Sequence, residues 1–235
     1  MGRRPLTLLL LAGLLLAPLA RAETGVVQGE VRVLVQKPDG STHPKEDRSG
    51  VVVYITGYTE EPPAEVARMN QRNKTFFPAV LPIVVGQKVE FSNRDVVLHN
   101  VFSRSVARQF DAGKNRPGES YFETFTKTGI VDVYCDIHEQ MVATVVVVPN
   151  RAFAVTDKDG RFELRGVKPG RHPLFAVHRR DAKSDIARAE VVVEAGGTTS
   201  ATLELTEVHA DAPHLDKRGR KYIPRGSGYT DKRGP

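Results

Sequence analysis

The 235-residue sequence has one cysteine, no tryptophan and only 7% aromatic residues. A single thiol, Cys135, cannot close an internal disulfide. In an oxidising compartment it is a liability unless it is buried, ligated or paired with another chain. Four roles stay open for it: core residue, nucleophile, link between two chains, or metal ligand. The chain also lacks a basic helix and any interleaving of aromatic with basic residues, so nothing supports nucleic-acid binding. Its formal charge of +6 includes three arginines, and no acids, from residues 1–22; without them it is +3. Beyond residue 22 no run is apolar enough to span a bilayer.

What is present begins with an export signal. "MGRRPLTLLLLAGLLLAPLARA" combines a basic start, a leucine-rich run and the small-x-small triplet Ala20-Arg21-Ala22, which is the pattern of a cleaved secretory signal peptide. The run is short for a membrane span and Pro18 interrupts it. Cleavage is expected after Ala22. Pro5-Leu6 after Arg3-Arg4 fits the twin-arginine motif poorly, which favours the general secretory route. The residue right after the expected cleavage site is Glu23 and not a cysteine, so a lipoprotein anchor is not expected.

The remainder reads as strands punctuated by turn residues. Valine-rich runs occupy 25–36 and 50–58, and further strands are expected near 79–85, 87–92, 97–103, 120–126 and 129–135. "VATVVVVP" (142–149) is a continuous apolar run of the kind buried on both faces. The segment 62–74 is the one expected helix, from its prolines and the Val66/Met69 spacing. After Pro149 the punctuation tightens, with a hairpin expected around Asp157–Gly160, a turn at Lys168-Pro169-Gly170, and strands at 187–195 and 200–205. The expected fold class is all-β. The expected divisions are a signal peptide (1–22), a first β-domain (23–149), a small β-sandwich (150–206) and a basic, weakly ordered tail (207–235).

Chemistry concentrates in "YCDIHEQM" (134–141). Strand alternation puts Cys135 on the inward face with Val131 and Val133, and a short turn then carries His138 and Met141. Thiolate plus thioether is a soft pair that selects copper over zinc, calcium or magnesium. Two imidazoles, a thiolate and a weak axial thioether make a type 1 copper site, so one more histidine is needed. His99, in "VVLHNVFS", shares an inward face with Val97 and Val101. Asn100 beside it is placed to tie this segment to the copper loop and to donate a hydrogen bond near the sulfur. His43, His209 and His214 lie in polar stretches, and His172 and His178 read as ordinary sandwich residues. The bland alternative for Cys135 is a small buried hydrophobe; a nucleophile beside a core methionine is poorly placed for substrate.

These motifs, with the upstream "VVGQKVEFSNRD", resemble the copper signatures of the cupredoxins, the plastocyanin, pseudoazurin and amicyanin group, over residues 71–149. The resemblance implies a Greek-key β-sandwich, one copper ion and periplasmic or secreted residence. It also implies His99, Cys135, His138 and Met141 as ligands, Asn100 supporting them, and a His138 ring edge turned toward solvent as the electron port. The polar loop (Asp136, Glu139, Gln140) departs from the apolar surroundings common in that family. "AVTDKDGRFELRGVKPGRHPL" (154–174) resembles the carboxypeptidase regulatory-like, prealbumin-type sandwich, which carries no chemistry. The implied function is one-electron transfer between redox protein partners, without catalysis: Tyr134 and Asp136 flank Cys135 where a coupled trinuclear site would need histidines. The competing readings are copper handling or structural attachment without electron transfer, and a metal-free adhesion module.

Overall fold

A computed structural model of the chain describes residues 23–178, 186–208 and 214–221. The expected signal peptide and parts of the expected tail lie outside the described residues. The described chain is all-β. Its strands are β1 (Gly25–Gln36), β2 (Thr42–Pro44), β3 (Val51–Ile55), β4 (Ala67–Arg72), β5 (Thr75–Phe77), β6 (Val80–Val84), β7 (Lys88–Asn93), β8 (His99–Ser105), β9 (Arg108–Asn115), β10 (Ser120–Thr124), β11 (Gly129–Tyr134), β12 (Val142–Val148), β13 (Phe153–Val155), β14 (Arg161–Val167), β15 (Gly170–His178), β16 (Ala187–Val193) and β17 (Thr198–Val208).

The strands build two sandwiches, and the division differs from the expected cut at residue 149. One sandwich pairs the sheet β14-β1-β17, with β2 on β1, against the sheet β13-β3-β15-β16. Its core joins Val27, Val31, Val51, Val53 and Ile55 from the start of the chain to Phe162, Leu164, Leu174, Val191 and Leu205 from the end. The other sandwich pairs β10-β7-β4-β5 against β6-β12-β11-β8-β9 around Met69, Phe91, Val101, Phe125, Val131 and Val145. The second sandwich is therefore inserted into the first. The cause is the edge of β1, which finds its parallel partner in β17, from Val26↔Thr198 to Gln36↔Val208. Glycine at position 29 permits this approach, since a Cβ there would lie 1.7 Å from the Ala201 carbonyl oxygen.

Both crossings between sandwiches run side by side. Glu60 N–H donates to Pro149 O at 3.0 Å, and the fully buried Asn150 donates to Ile55 O and Tyr58 O at 3.1 and 3.0 Å. Between the bodies, Val52 and Val177 pack on Val146 and Val148, each worth about 1.5–3 kcal/mol relative to exposure. This accounts for the valine run of β12: Ala143, Val145 and Val147 face their own core, while Val146 and Val148 face the other sandwich.

Three local expectations are corrected. Residues 67–72 are strand, because Ala67, Met69 and Gln71 pair on β7 while Asn73 and Lys74, both at positive φ, turn the chain back into β5. Positive φ at both central residues is the primed-turn geometry of a hairpin. The Asp157–Gly160 turn is a corner between sheets, since β13 pairs with β3 and β14 with β1. Residues 207 and 208 end β17, and 214–221 fold back onto the inserted sandwich.

That returning segment is anchored at several points. Lys217 N–H donates to Asp136 Oδ1 at 3.0 Å, and its ammonium reaches Asp111 Oδ2 at 2.8 Å. The His214 ring lies on Tyr134, centroids 4.5 Å apart. Burial pushes His214 below the usual histidine range and pushes the Tyr134 phenol up to about 12, so both rings are neutral near pH 7. A half-exposed ion pair contributes at most about 1 kcal/mol. Lys217→Ala is therefore expected to release the segment about fivefold more often, read as faster tryptic cleavage at Arg218 and Arg220 with no change in the Cu(II) spectrum.

Candidate metal centre

Strand β11 carries Val131, Val133 and then Cys135 into the core of the inserted sandwich. The turn that follows is closed by its own backbone: Met141 N–H donates to His138 O at 3.1 Å, and Cys135 N–H to Met141 O at 3.3 Å. His99 opens β8, whose pairing to β11 is Tyr134↔Phe102. The two segments thus bring His99, Cys135 and His138 together, the one group among the described residues whose donor atoms could hold a metal ion. Met141, fully buried, sits in the same core cluster as Cys135.

Three donor atoms face one another. The Nδ1 atoms of His99 and His138 are 3.2 Å apart, and Cys135 Sγ lies 3.9 Å from the first and 3.7 Å from the second. A point equidistant from the three lies about 2.1 Å from each, the length of a metal–nitrogen bond and close to that of a metal–sulfur bond. The donor set fits copper: two imidazoles and a thiolate face one another, and the Met141 thioether belongs to the same buried cluster as the sulfur.

Electrostatics prepare each donor. Burial pushes the Cys135 thiol up, opposed by backbone N–H groups of Asn100, Ile137 and His138 that point at the sulfur; the Ile137 contact is 3.4 Å. A bound metal deprotonates a coordinating thiol outright. Burial pushes His99 down, and the Asp95 carboxylate opposes this. His99 Nε2 lies 3.1 Å from Asp95 Oδ2, so Nε2 carries the proton and the Nδ1 lone pair faces the other donors. Asp95 is itself held below the usual carboxylate range, chiefly by the Lys74 N–H.

Two expected details differ. The Asn100 side chain does not tie to the copper loop: it donates to Asp111 Oδ1 and Gly113 O, both at 2.7 Å, bracing β8 on β9. Only its backbone N–H serves the sulfur. His138 is 6% exposed, so little of its ring reaches solvent, less than the open electron port that the resemblance implies. The segment 214–217 lies along the same loop through Asp136. Asp95 was not among the expected residues. Its signal is a carboxylate four positions before the histidine in a turn-rich stretch, a pattern too common to single it out. Elsewhere His172 bonds Lys168 O at 2.7 Å and His43 is exposed on β2.

His99, Cys135 and His138, with Met141 in the same core cluster, are buried in the inserted sandwich. Residues 64–148 match the family of copper binding proteins, plastocyanin/azurin family. That span is the inserted sandwich and leaves out every strand of the outer one. A search of curated proteins finds no match. Among solved structures, a purple cupredoxin from Nitrosopumilus maritimus is 26% identical, covering 35% of this chain and 99% of its own, with a TM-score of 0.33. A copper-containing nitrite reductase from Thermus scotoductus SA-01 is 31% identical over 40% of this chain and 24% of its own, TM-score 0.35. A mutant of amicyanin in its Cu(I) form is 22% identical over 41% of this chain and 98% of its own, TM-score 0.34.

Proposed function

We propose that the chain is an exported, non-catalytic one-electron carrier in which His99, Cys135, His138 and Met141 hold a type 1 copper ion. The observation that carries this reading is the triangle of two Nδ1 atoms and one sulfur. When bound, copper supplies the Cu(II)/Cu(I) couple. The protein's part is to keep its donors where they are through that change. Cys135 is fixed by a strand end and by backbone N–H groups, His99 by β8 and Asp95, and the loop by its own closure. Buried donors exclude water, and a rigid, dry site minimises the rearrangement that opposes transfer. Copper is the only redox group this scheme requires, and a redox protein is the partner class.

A visible and electron-paramagnetic-resonance spectrum with Cu(II) tests the ligand set: intense thiolate-to-copper absorption is expected, and a colourless protein sinks it. The burial of His138 favours a second reading, copper handling or attachment without electron transfer. The self-exchange rate separates the two, fast exchange supporting the carrier. Met141→Leu is expected to keep the colour and raise the reduction potential, because it would remove a weak thioether donor that, in the site, would favour Cu(II). An unchanged potential by voltammetry would remove Met141 from the set. Mature protein starting at Glu23 in the periplasm or medium would support export.

A further inference from the structure

We propose that Asp95 is a positioning residue of the copper centre: its carboxylate locks His99 in the Nε2–H tautomer and places a negative charge behind the imidazole that favours Cu(II). This rests on the ligand reading above. The contact is built into the fold from several elements. His99 is fully buried and the Asp95 side chain is 11% exposed. Asp95 Oδ2, which accepts from His99, also accepts from Lys74 N–H at 2.8 Å, while Oδ1 accepts from Val96 N–H at 2.9 Å. Asp95 N–H donates to Asn93 Oδ1 at 3.0 Å, and the wholly buried Asn93 donates to Val97 O and Asn115 O, both at 2.9 Å.

The Lys74 N–H is available because Asn73 and Lys74 hold φ of 52° and 54°, a left-handed pair that residues with side chains adopt uncommonly. The β4–β5 turn thus braces a carboxylate, and the carboxylate braces the ligand. A carboxylate accepting the far N–H of a ligating imidazole fixes ring orientation and raises ligand basicity. A more basic imidazole stabilises the more highly charged Cu(II) and lowers the potential.

The test uses the full chain with Cu(II), and charge and orientation are separated by two variants. Asp95→Asn keeps an acceptor but removes the charge. It is expected to retain the colour and shift the Cu(II)/Cu(I) ratio at a fixed potential about tenfold toward Cu(I), a rise of about 59 mV for one electron. Asp95→Ala removes both and is expected to weaken copper affinity about 10–100-fold, with broadened copper hyperfine lines. Circular dichroism of the apoproteins checks folding, and if Asp95→Ala fails it, Asp95→Asn decides alone. A coloured wild type with an unchanged potential in Asp95→Asn overturns the proposal and leaves the ligand set standing. A colourless wild type overturns the ligand set, and this inference with it.

Discussion

A Cys135→Ser variant loses the intense visible absorption that the wild type gains with Cu(II), while its circular dichroism stays that of a β-protein. The absorption needs a sulfur bonded to the ion, and this thiol is the only cysteine in the chain. The fold tolerates the change because the two side chains are close in size and the N–H of Ile137, 3.4 Å from the sulfur, can meet a hydroxyl instead. Placing a hydroxyl in a core of valines costs about 1–3 kcal/mol, well within the stability of a domain. A variant that stays coloured would remove Cys135 from the site.

Truncation after residue 149 has the second large effect, and here the fold reverses what the sequence predicts. If the division lay at 149/150, residues 23–149 would form a self-sufficient copper domain. Instead, ten of the sixteen core residues of the outer sandwich follow residue 149. A 23–149 fragment leaves Val27, Val31, Val51 and Val53 without their partners and leaves the edges of β1 and β3 open, so it is expected to aggregate. A 64–149 fragment keeps the whole inserted core and is expected to fold and take up copper. Its thermal midpoint should be lowered by the exposure of Val146 and Val148. A soluble, cooperative 23–149 fragment would contradict the nested arrangement.

The grouping of Cys135 with His138 was legible because it is local: a strand end and a short turn separate them by three residues. His99, which the structure brings to that pair, was picked out by strand alternation, by the polar or sandwich settings of the other histidines, and by the family resemblance. The nested architecture was not legible, because the pairing of β1 with β17 joins residues more than 170 apart and no local pattern names a partner. Each half of the outer sandwich also alternates as well as any independent strand set. The mistaken helix at 62–74 came from weighing the spacing of Val66 and Met69 over the alternation of Met69 and Gln71, which the hairpin turn at Asn73-Lys74 enforces. Residues 214–221 gave no apolar period, since ion pairs and the contacts of the His214 ring with Tyr134 and Phe102 hold them.

Strands β3 and β13 pair antiparallel, Phe153 against Tyr54 and Val155 against Val52. They are the two arms of a hairpin whose turn is an entire copper domain. A module strung on one linker can swivel; one mounted at two adjacent points, with valines wedged beneath it, cannot. The copper domain and its host therefore tumble as one body, and any surface that grips the host also sets the compass bearing of the metal.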